Sequence, residues 1–208
     1  MRLFAFLILI SLAVGAQAEQ RDSDKYDSHK VMGNINVQKG GMAGDVRSVN
    51  GDIRLENDSA VKNAATFNGK ISISNNVKAS DLSTVNGSIR SGEDLTVERN
   101  VSTVNGSIYI KAGAEIGDSI STVNGSIDLA KTVVGGNLET LNGDIKLRHS
   151  VIAGDIVFRA LSAFSLRPSN PRLVIDADSE VRGRIILRQR VELEIEEGAK
   201  IGEIIDES

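Results

Sequence analysis

The sequence predicts an all-β fold, a single-stranded parallel β-solenoid (β-helix) with coils of about 18 residues. Three observations support this prediction. A short motif containing Asn-Gly recurs at near-constant spacing, apolar and polar residues alternate between its copies, and no sustained period of 3.6 residues follows residue 18.

The glycine-centred motif supplies the period. Its copies read VMGNINV, VNGDIRL, FNGKISI, VNGSIRS, VNGSIYI, VNGSIDL and LNGDIKL. Their glycines are Gly33, Gly51, Gly69, Gly87, Gly106, Gly125 and Gly143, which are 18, 18, 18, 19, 19 and 18 residues apart. A fixed period of this kind is typical of solenoids, in which each repeat forms one coil and stacked coils share a core. We expect about nine coils.

The residues between the glycines alternate between apolar and polar types. Val85, Ile89, Leu95 and Val97 of one copy correspond to Val104, Ile108, Ile110 and Ile116 of the next. Ser, Thr, Asp, Lys and Arg lie between them. This period of two predicts strands with one buried face.

The Asn-Gly pairs also allow an alternative, because Asn-Gly between alternating apolar residues is a strong signal for a β-hairpin. That alternative is an antiparallel meander or an up-and-down barrel. The solenoid is favoured, since near-identical residues recur at matched positions while the turns midway between the pairs vary. In it the pairs form a repeated structural corner where Gly supplies a positive φ. The corner residues are Asn50, Gly51, Asn68, Gly69, Asn86, Gly87, Asn105, Gly106, Asn124, Gly125, Asn142 and Gly143.

The chain divides into five predicted segments. Residues 1–18 read as a signal peptide, with Arg2, an apolar run over 3–14 and Ala16 and Ala18 before the cleavage site. Residues 19–30 form a flexible polar linker, and 31–158 form the solenoid repeats. Residues 159–172 form an inserted loop, and 173–208 form the final coils and a C-terminal cap.

The signal peptide predicts export to the periplasm, the cell surface or the medium. Its apolar run is shorter than the roughly 20 residues that span a bilayer, so we expect cleavage and no stable membrane insertion afterwards. The chain has no cysteine, so its stability cannot depend on disulfides.

The inserted loop is the candidate partner site. It holds both prolines of the chain, and proline cannot donate a hydrogen bond to a strand ladder. The residues assigned to this candidate partner loop are Phe158, Phe164, Pro168 and Pro171.

The sequence predicts no catalytic residues, no metal site and no cofactor. His29 and His149 lack a Cys or a second His at a ligand spacing, so both are interpreted as solvent-exposed residues without a functional role. No nucleophile and base, or paired acid and base, can be assembled. With 24 basic and 28 acidic residues and a net charge of -4, the chain shows no nucleic-acid footprint.

At its Asn-Gly copies the chain resembles the bacterial adhesin β-solenoid family, whose repeats likewise read TVNGSI or TVNGDI. This resemblance covers about residues 31–158. The later segments EVRGRI and AKIGEI resemble bactofilins, which are polymer-forming bacterial solenoids. The resemblances imply a fold of stacked coils and, for bactofilins, non-catalytic end-to-end polymerisation.

We therefore expect a non-catalytic exported structural or interaction protein, an adhesin-like scaffold of the periplasm or cell surface. The partner would be a protein or a cell-envelope polysaccharide, with self-association as a further expectation. Two alternatives remain open, a bactofilin-like polymer-forming protein and a polysaccharide-active β-helix enzyme.

Overall fold

All regular structure in the part of the chain that the computed structural model describes, residues 27–160 and 170–208, is β-strand. The strands pair in parallel with strands of the neighbouring coils. The prediction of a parallel β-solenoid is therefore confirmed. The same residues contain no helix with the length and apolar character needed to cross a membrane.

The strands are short and follow one another around each coil. Their bounds are β1 Ser28–Met32, β2 Ile35–Val37, β3 Met42–Asn50, β4 Ile53–Leu55, β5 Ala60–Asn68, β6 Ile71–Ile73, β7 Lys78–Asn86, β8 Ile89–Ser91, β9 Thr96–Val97, β10 Val101–Asn105, β11 Ile108–Ile110, β12 Ala114–Ile116, β13 Ile120–Asn124, β14 Ile127–Ala130, β15 Thr132–Val134, β16 Leu138–Asn142, β17 Ile145–Arg148, β18 Val151–Ile152, β19 Ile156–Phe158, β20 Arg172–Ile175, β21 Glu180–Val181, β22 Ile185–Leu187, β23 Glu192–Ile195, β24 Lys200–Ile201 and β25 Ile204–Asp206.

Two sheets run along the solenoid. The nine-stranded sheet, here called the short-strand sheet, takes one strand from each coil in the order β2-β4-β6-β8-β11-β14-β17-β20-β23 and so defines nine coils. The 16-stranded sheet, here called the long-strand sheet, contains the other strands. The antiparallel alternative is wrong, because Asn50, Asn68 and Asn86 pair side by side in parallel strands instead of turning hairpins.

One additional residue changes the cross-section of the solenoid. In the first coils the long-strand sheet receives single strands of 9 residues, such as β5 and β7. Lys78 then pairs with Thr96 but Leu82 pairs with Val101, so the offset rises from 18 to 19 residues. The added residue lies in the bend at 98–100, which divides the long strand into β9 and β10. The coils that follow have three strands each.

The core consists of aliphatic side chains stacked coil on coil. One column in the short-strand sheet is fully buried and holds Ile53, Ile71, Ile89, Ile108, Ile127, Ile145 and Leu173. Burying each such side chain contributes roughly 1.5–3 kcal/mol. Because each side chain packs on the coils above and below, the stability of a coil depends on its neighbours.

Two predicted inward assignments are wrong. Val85 and Val104 lie on the outer face and are half-buried, whereas Thr84 and Thr103 point inward and are 0% and 1% exposed. Side chains alternate along the strand, so Val85 points outward because Leu82 and Thr84 both point inward. The prediction that Leu95 and Ile110 occupy equivalent positions in adjacent coils is also wrong. Thr96 pairs with Glu115, so the residues before them, Leu95 and Ala114, are the equivalent pair.

The inward hydroxyls complete the backbone hydrogen bonding at the corner. The Thr84 hydroxyl donates to the carbonyl oxygen of Gly69 over 2.9 Å. Among the described residues no backbone N–H donates to this carbonyl, so the hydroxyl satisfies a buried acceptor that would otherwise cost about 1–3 kcal/mol. Equivalent bonds run from Ser48 to Gly33, Thr66 to Gly51, Thr103 to Gly87 and Thr122 to Gly106.

The corner asparagines form a continuous amide ladder on the outside of the solenoid. Each side-chain NH₂ donates to the Oδ1 of the asparagine one coil earlier, as from Asn105 to Asn86 over 2.8 Å. The ladder members are Asn50, Asn68, Asn86, Asn105, Asn124 and Asn142. An interior member both donates and accepts, whereas Asn50 serves in the ladder as an acceptor only.

The expected positive φ at the corner is wrong for most of its glycines. Gly125 has a φ of 156°, but Gly51, Gly69, Gly87, Gly106 and Gly143 have no positive φ. Close stacking explains the glycines instead. A Cβ on Gly106 would lie 1.9 Å from the carbonyl oxygen of Gly87 in the coil before it, so a side chain cannot fit.

The left-handed residues lie at a different turn, the one that follows each short strand. They have φ between 47° and 81° and are Gly40, Asp58, Asn76, Asp94, Gly113, Lys131 and His149. Asp, Asn and Gly are the residues that tolerate this conformation best. This tolerance explains why the turns midway between the Asn-Gly pairs vary in sequence.

Two predicted boundaries need correction. Strand β1 begins at Ser28, inside the predicted linker 19–30, because Ser28 pairs with Val46 of the next coil. Strand β20 begins at Arg172, the last residue of the predicted inserted loop. Ile145 pairs with Leu173, 28 residues later, so the chain leaves the period between them and rejoins the stack in register.

We predict that Gly106→Asn and Gly106→Ala destabilise the protein equally, by about 2–3 kcal/mol, because both introduce a Cβ into a filled space. Thermal and urea unfolding followed by circular dichroism would measure the loss. The control is Gly40, which has a φ of 68° and nothing within 4 Å of its built Cβ. There Asn should cost less than Ala. If Asn is also clearly the milder substitution at Gly106, backbone conformation and not stacking explains the corner.

We predict that Asn105→Asp costs about 1–3 kcal/mol of unfolding free energy at neutral pH, because a carboxylate cannot donate to Asn86 and repels its Oδ1. Asn50→Asp is the matched control, since Asn50 only accepts in the ladder and should tolerate the change. Urea denaturation of both variants would measure the difference. Equal losses would show that the amide ladder does not contribute as a chain of directed hydrogen bonds.

Candidate functional site

The outer face of the short-strand sheet carries a column of chemically varied side chains. The three-residue short strands point their first and third residues inward and their middle residue outward, as in the buried, exposed, buried pattern of β4. Residues paired with these middle positions continue the outward column on the other short strands. The outward column reads Asn36, Arg54, Ser72, Arg90, Tyr109, Asp128, Lys146, Val174 and Glu194.

Differences in side-chain length along this face create a groove of about 570 Å³. Its floor is made by small residues on three coils, and longer side chains form its walls. The floor residues are Ser72, Ser74, Gly92 and Ala130, and the walls include Arg54, Arg90, Tyr109, Lys111 and Arg148. A second depression of about 220 Å³ adjoins it toward the N-terminal coils and shares Arg54 and Ser72.

The groove is cationic although the chain carries a net charge of -4. Its lining holds four basic residues and a single acidic one, Asp128. Asp128 forms an ion pair with Arg148. Arg54, Arg90 and Lys111 have no ion-pair partner among residues 27–160 and 170–208. Three uncompensated positive charges therefore line one side of an acidic protein.

Tyr109 stacks against the neighbouring Arg90 in the groove. The guanidinium carbon of Arg90 lies 4.1 Å from the centre of the Tyr109 ring, and the two residues pair in adjacent strands. A cation over an aromatic face is attracted by about 0.5–1 kcal/mol at an exposed site. Tyr109 is the one tyrosine in the described part of the chain, and it presents a flat ring beside three cations.

The structure separates the predicted site residues from this groove. The corner asparagines are the last residues of successive strands in the long-strand sheet, and the corner glycines directly follow them. They contribute there to the amide ladder and to the close stacking of the coils. The assignment of Phe158 to an accessible partner loop is wrong, because it belongs to β19 and is 0% exposed. Pro171 is also buried, and its carbonyl accepts a bond from the Glu192 N–H. Phe164 and Pro168 lie outside the described residues.

His149 has partners that the sequence did not reveal. Its Nδ1 lies 2.9 Å from an Asp176 carboxylate oxygen, and its Nε2 lies 3.0 Å from one of Asp178. Its backbone N–H also donates to Asp176, which holds His149 in its left-handed conformation. His149 is exposed, as predicted, but its contacts with the two carboxylates were not. Since each nitrogen faces a different carboxylate, the three side chains do not converge on one point.

His29 is an exposed residue of β1. No cluster of three or more His, Cys, Asp or Glu side chains that could hold a metal ion occurs among the residues that the structure describes. Among the described residues, the fold thus brings together the cationic groove and the contacts of His149 with two carboxylates.

Asp155 and Asp176, in the C-terminal half of the solenoid, each have a lowered pKa. For Asp155 the main cause is the hydrogen bond from the Arg184 guanidinium, with a second bond from the Arg184 backbone N–H. For Asp176, burial opposes ionisation, but bonds from the Ser179 hydroxyl and from His149 outweigh it and lower the pKa. Both carboxylates are therefore stabilised in their charged form in the folded protein.

The described residues thus define a β-solenoid repeat protein with a cationic groove on its short-strand sheet. No known protein family, no curated protein and no solved structure matches the chain. The groove is accordingly interpreted from its own geometry.

We predict that Asp155→Asn reduces the sensitivity of folding to acid. A carboxyl with a lowered folded pKa stabilises the protein above its unfolded pKa, and this contribution is lost as the pH falls through the folded value. Asn137, one coil earlier, shows that Asn fits this column: its Oδ1 accepts the Asp155 N–H just as the Asp155 Oδ1 accepts that of Arg184.

The unfolding free energy of the variant should be slightly lower at neutral pH and should fall less below pH of about 4. Urea unfolding at a series of pH values would measure it. Asp58→Asn is the control, because Asn76 occupies the equivalent turn position. A wild-type acid response in Asp155→Asn would show that the pair with Arg184 does not contribute.

Proposed function

We propose that this chain is a non-catalytic exported interaction protein, an adhesin-like scaffold of the periplasm or cell surface. It binds its partner along the outer face of the short-strand sheet. The observation that supports the proposal is the groove there, which presents three cations without ion-pair partners in the described chain beside a tyrosine ring that stacks against Arg90.

The framework under the groove favours recognition of an extended partner. The groove residues lie on or directly beside strands β4, β6, β8, β11, β14 and β17, which are hydrogen-bonded to one another along the axis. Side chains on paired strands hold their spacing better than side chains on loops. Little backbone conformational entropy is then lost on binding, which leaves more of the contact energy for affinity.

The carboxylates near the groove support binding more than cleavage. A glycosidase needs two carboxyl groups about 5–10 Å apart across the bond that breaks. Asp128 lines the main groove and Asp52 lines the adjoining depression. They lie four coils apart, which is about 19 Å at the strand spacing of a sheet. Asp52 and Asp128 are each already paired with a cation, Lys70 and Arg148 respectively.

End-to-end polymerisation is a second candidate, favoured by the ends of the described solenoid. Val31 and Met32 near the first coil are 64% and 79% exposed, and Ile204 in the last coil is 39% exposed. Among the described residues β23 pairs with β20 alone, which leaves one edge of the short-strand sheet open. Acidic residues on the last coil, such as Glu192 and Glu194, oppose stacking onto another acidic end.

We predict that the protein, expressed from its full sequence in a bacterium, fractionates with the periplasm or cell surface. The purified product should be retained on immobilised cell-envelope polysaccharide without shortening it, as measured by reducing-end assay. Ser72→Tyr should reduce retention by filling the groove, since Tyr109 shows that this column accepts a tyrosine.

Ser83→Tyr is the control, because Ser83 points outward from the long-strand sheet, away from the groove. Equal retention of both variants would place binding elsewhere, and a cytoplasmic location would contradict export. Released sugar ends would favour the enzyme. Filaments in electron micrographs of the purified protein would favour the polymer.

A further inference from the structure

The cations of the groove follow one another along the solenoid axis, separated in turn by two, one and two coils. Arg54 and Arg90 flank Ser72 in the outward column, and each pairs with it in an adjacent strand. They are therefore two coils apart, about 10 Å at the strand spacing of a sheet. Lys111 and Arg148 lie at the next outward position, two residues after Tyr109 and Lys146, on coils that are likewise two apart. A linear ligand with negative charges at intervals would meet them in succession.

The cationic groups suit a ligand that carries oxyanions. Guanidinium groups bind carboxylates and phosphates through two parallel hydrogen bonds and retain their charge at every physiological pH. Between them, Ser72 and Ser74 offer hydroxyls that can donate to or accept from the hydroxyls of a sugar. The Tyr109 ring adds a flat surface with an apolar body, suited to a pyranose ring.

Other polymer classes fit this lining less well. Single-stranded nucleic acid is held by successive aromatic side chains on which bases stack, and the groove has the single aromatic residue Tyr109. Protein partners are anchored mainly by large apolar and aromatic groups that fill pockets. Here the floor between Arg54 and Lys111 is made of serine and glycine.

We infer that the groove binds an acidic polysaccharide whose carboxylates recur along the chain. Arg54, Arg90 and Lys111 contact the carboxylates, and Tyr109 lies against a sugar ring. This inference rests on the proposed function, whose partner it assigns to a chemical class. The polymer runs along the solenoid axis across the short strands, in the direction in which the cations succeed one another.

The test uses the purified full-length protein and polygalacturonate, with binding measured by isothermal titration calorimetry. Fully methyl-esterified polygalacturonate is the matched control ligand, because it keeps the sugar backbone and removes the negative charge. The inference predicts binding to the acid form, weakening with added salt, and at least tenfold weaker binding to the ester. Dextran sulfate and single-stranded poly(dT) test for general attraction to polyanions and should bind more weakly.

The variant is Arg54→Ser with Arg90→Ser, which extends the existing Ser72 along the column. It should weaken binding of polygalacturonate at least about tenfold, equivalent to about 1.4 kcal/mol. The control is Lys62→Ser with Lys78→Thr, which removes two cations from the long-strand sheet. Ser80 and Thr96 already occupy the equivalent positions one coil later. Thermal unfolding of both double variants verifies that the coils remain stacked.

The outcomes separate the two proposals. Equal binding of the acid and ester forms, or tighter binding of dextran sulfate or poly(dT), overturns the carboxylate class and leaves the interaction scaffold in place. Undiminished binding by the arginine variant, with its fold intact, overturns the groove as the site. If the protein does not bind polygalacturonate but is retained on cell-envelope polysaccharide, the carboxylate class is overturned and the interaction scaffold stays in place. Absence of retention on both overturns the proposed function as well.

Discussion

In-register stacking of successive coils is the constraint on which the rest of the structure depends. Equivalent residues pair at offsets of 18 or 19 residues over most of the solenoid, so a residue often lies beside the same or a similar residue of the adjacent coil. At the Asn-Gly corner the coils approach so closely that a Cβ on Gly87 would meet the Gly69 carbonyl oxygen at 1.9 Å. The same stacking lets Asn86 bond to Asn68. A residue therefore suits the corner if it can pack against, or bond to, the same residue in the adjacent coils.

This constraint acts unequally on the two faces of a strand. The inward residues on each side of Arg90 are Ile89 and Ser91, and the column of Ile89 is aliphatic from Ile53 to Leu173. The outward column changes from basic to hydroxyl, aromatic and acidic side chains over the same coils. Outward side chains can vary without disturbing the core, so the outer face is where a solenoid can acquire a binding site.

Much of this organisation was predictable from the period, and the reasons for the failures are physical. The recurring Asn-Gly gave the coil length, but sequence alone could not distinguish a glycine required for close stacking from one required for positive φ. Thr84 was assigned outward because its neighbour Val85 is the more apolar. Its inward position depends on the Gly69 carbonyl, which needs a hydroxyl donor.

The groove itself carried a signal in the sequence. Its outward column is the third residue after each corner glycine, so aligning the copies on Gly51, Gly69 and Gly87 places Arg54, Ser72 and Arg90 side by side. The His149 contacts had no such signal. Asp176 follows His149 by 27 residues, and only the way the chain rejoins the stack at β20 brings them together.

Ion pairing leaves part of the positive charge of the groove free. Lys70 pairs with Asp52 over 3.6 Å on the coils of Ser72 and Arg54, and Arg148 pairs with Asp128. Exposed pairs of this kind contribute about 0–1 kcal/mol to stability, so their larger effect is on the local charge. Of the cations that line the groove, Arg54, Arg90 and Lys111 have no ion-pair partner among the described residues. These three lie within three coil spacings, about 14 Å, which limits the charged contact to a few sugar units of a polymer that extends beyond it.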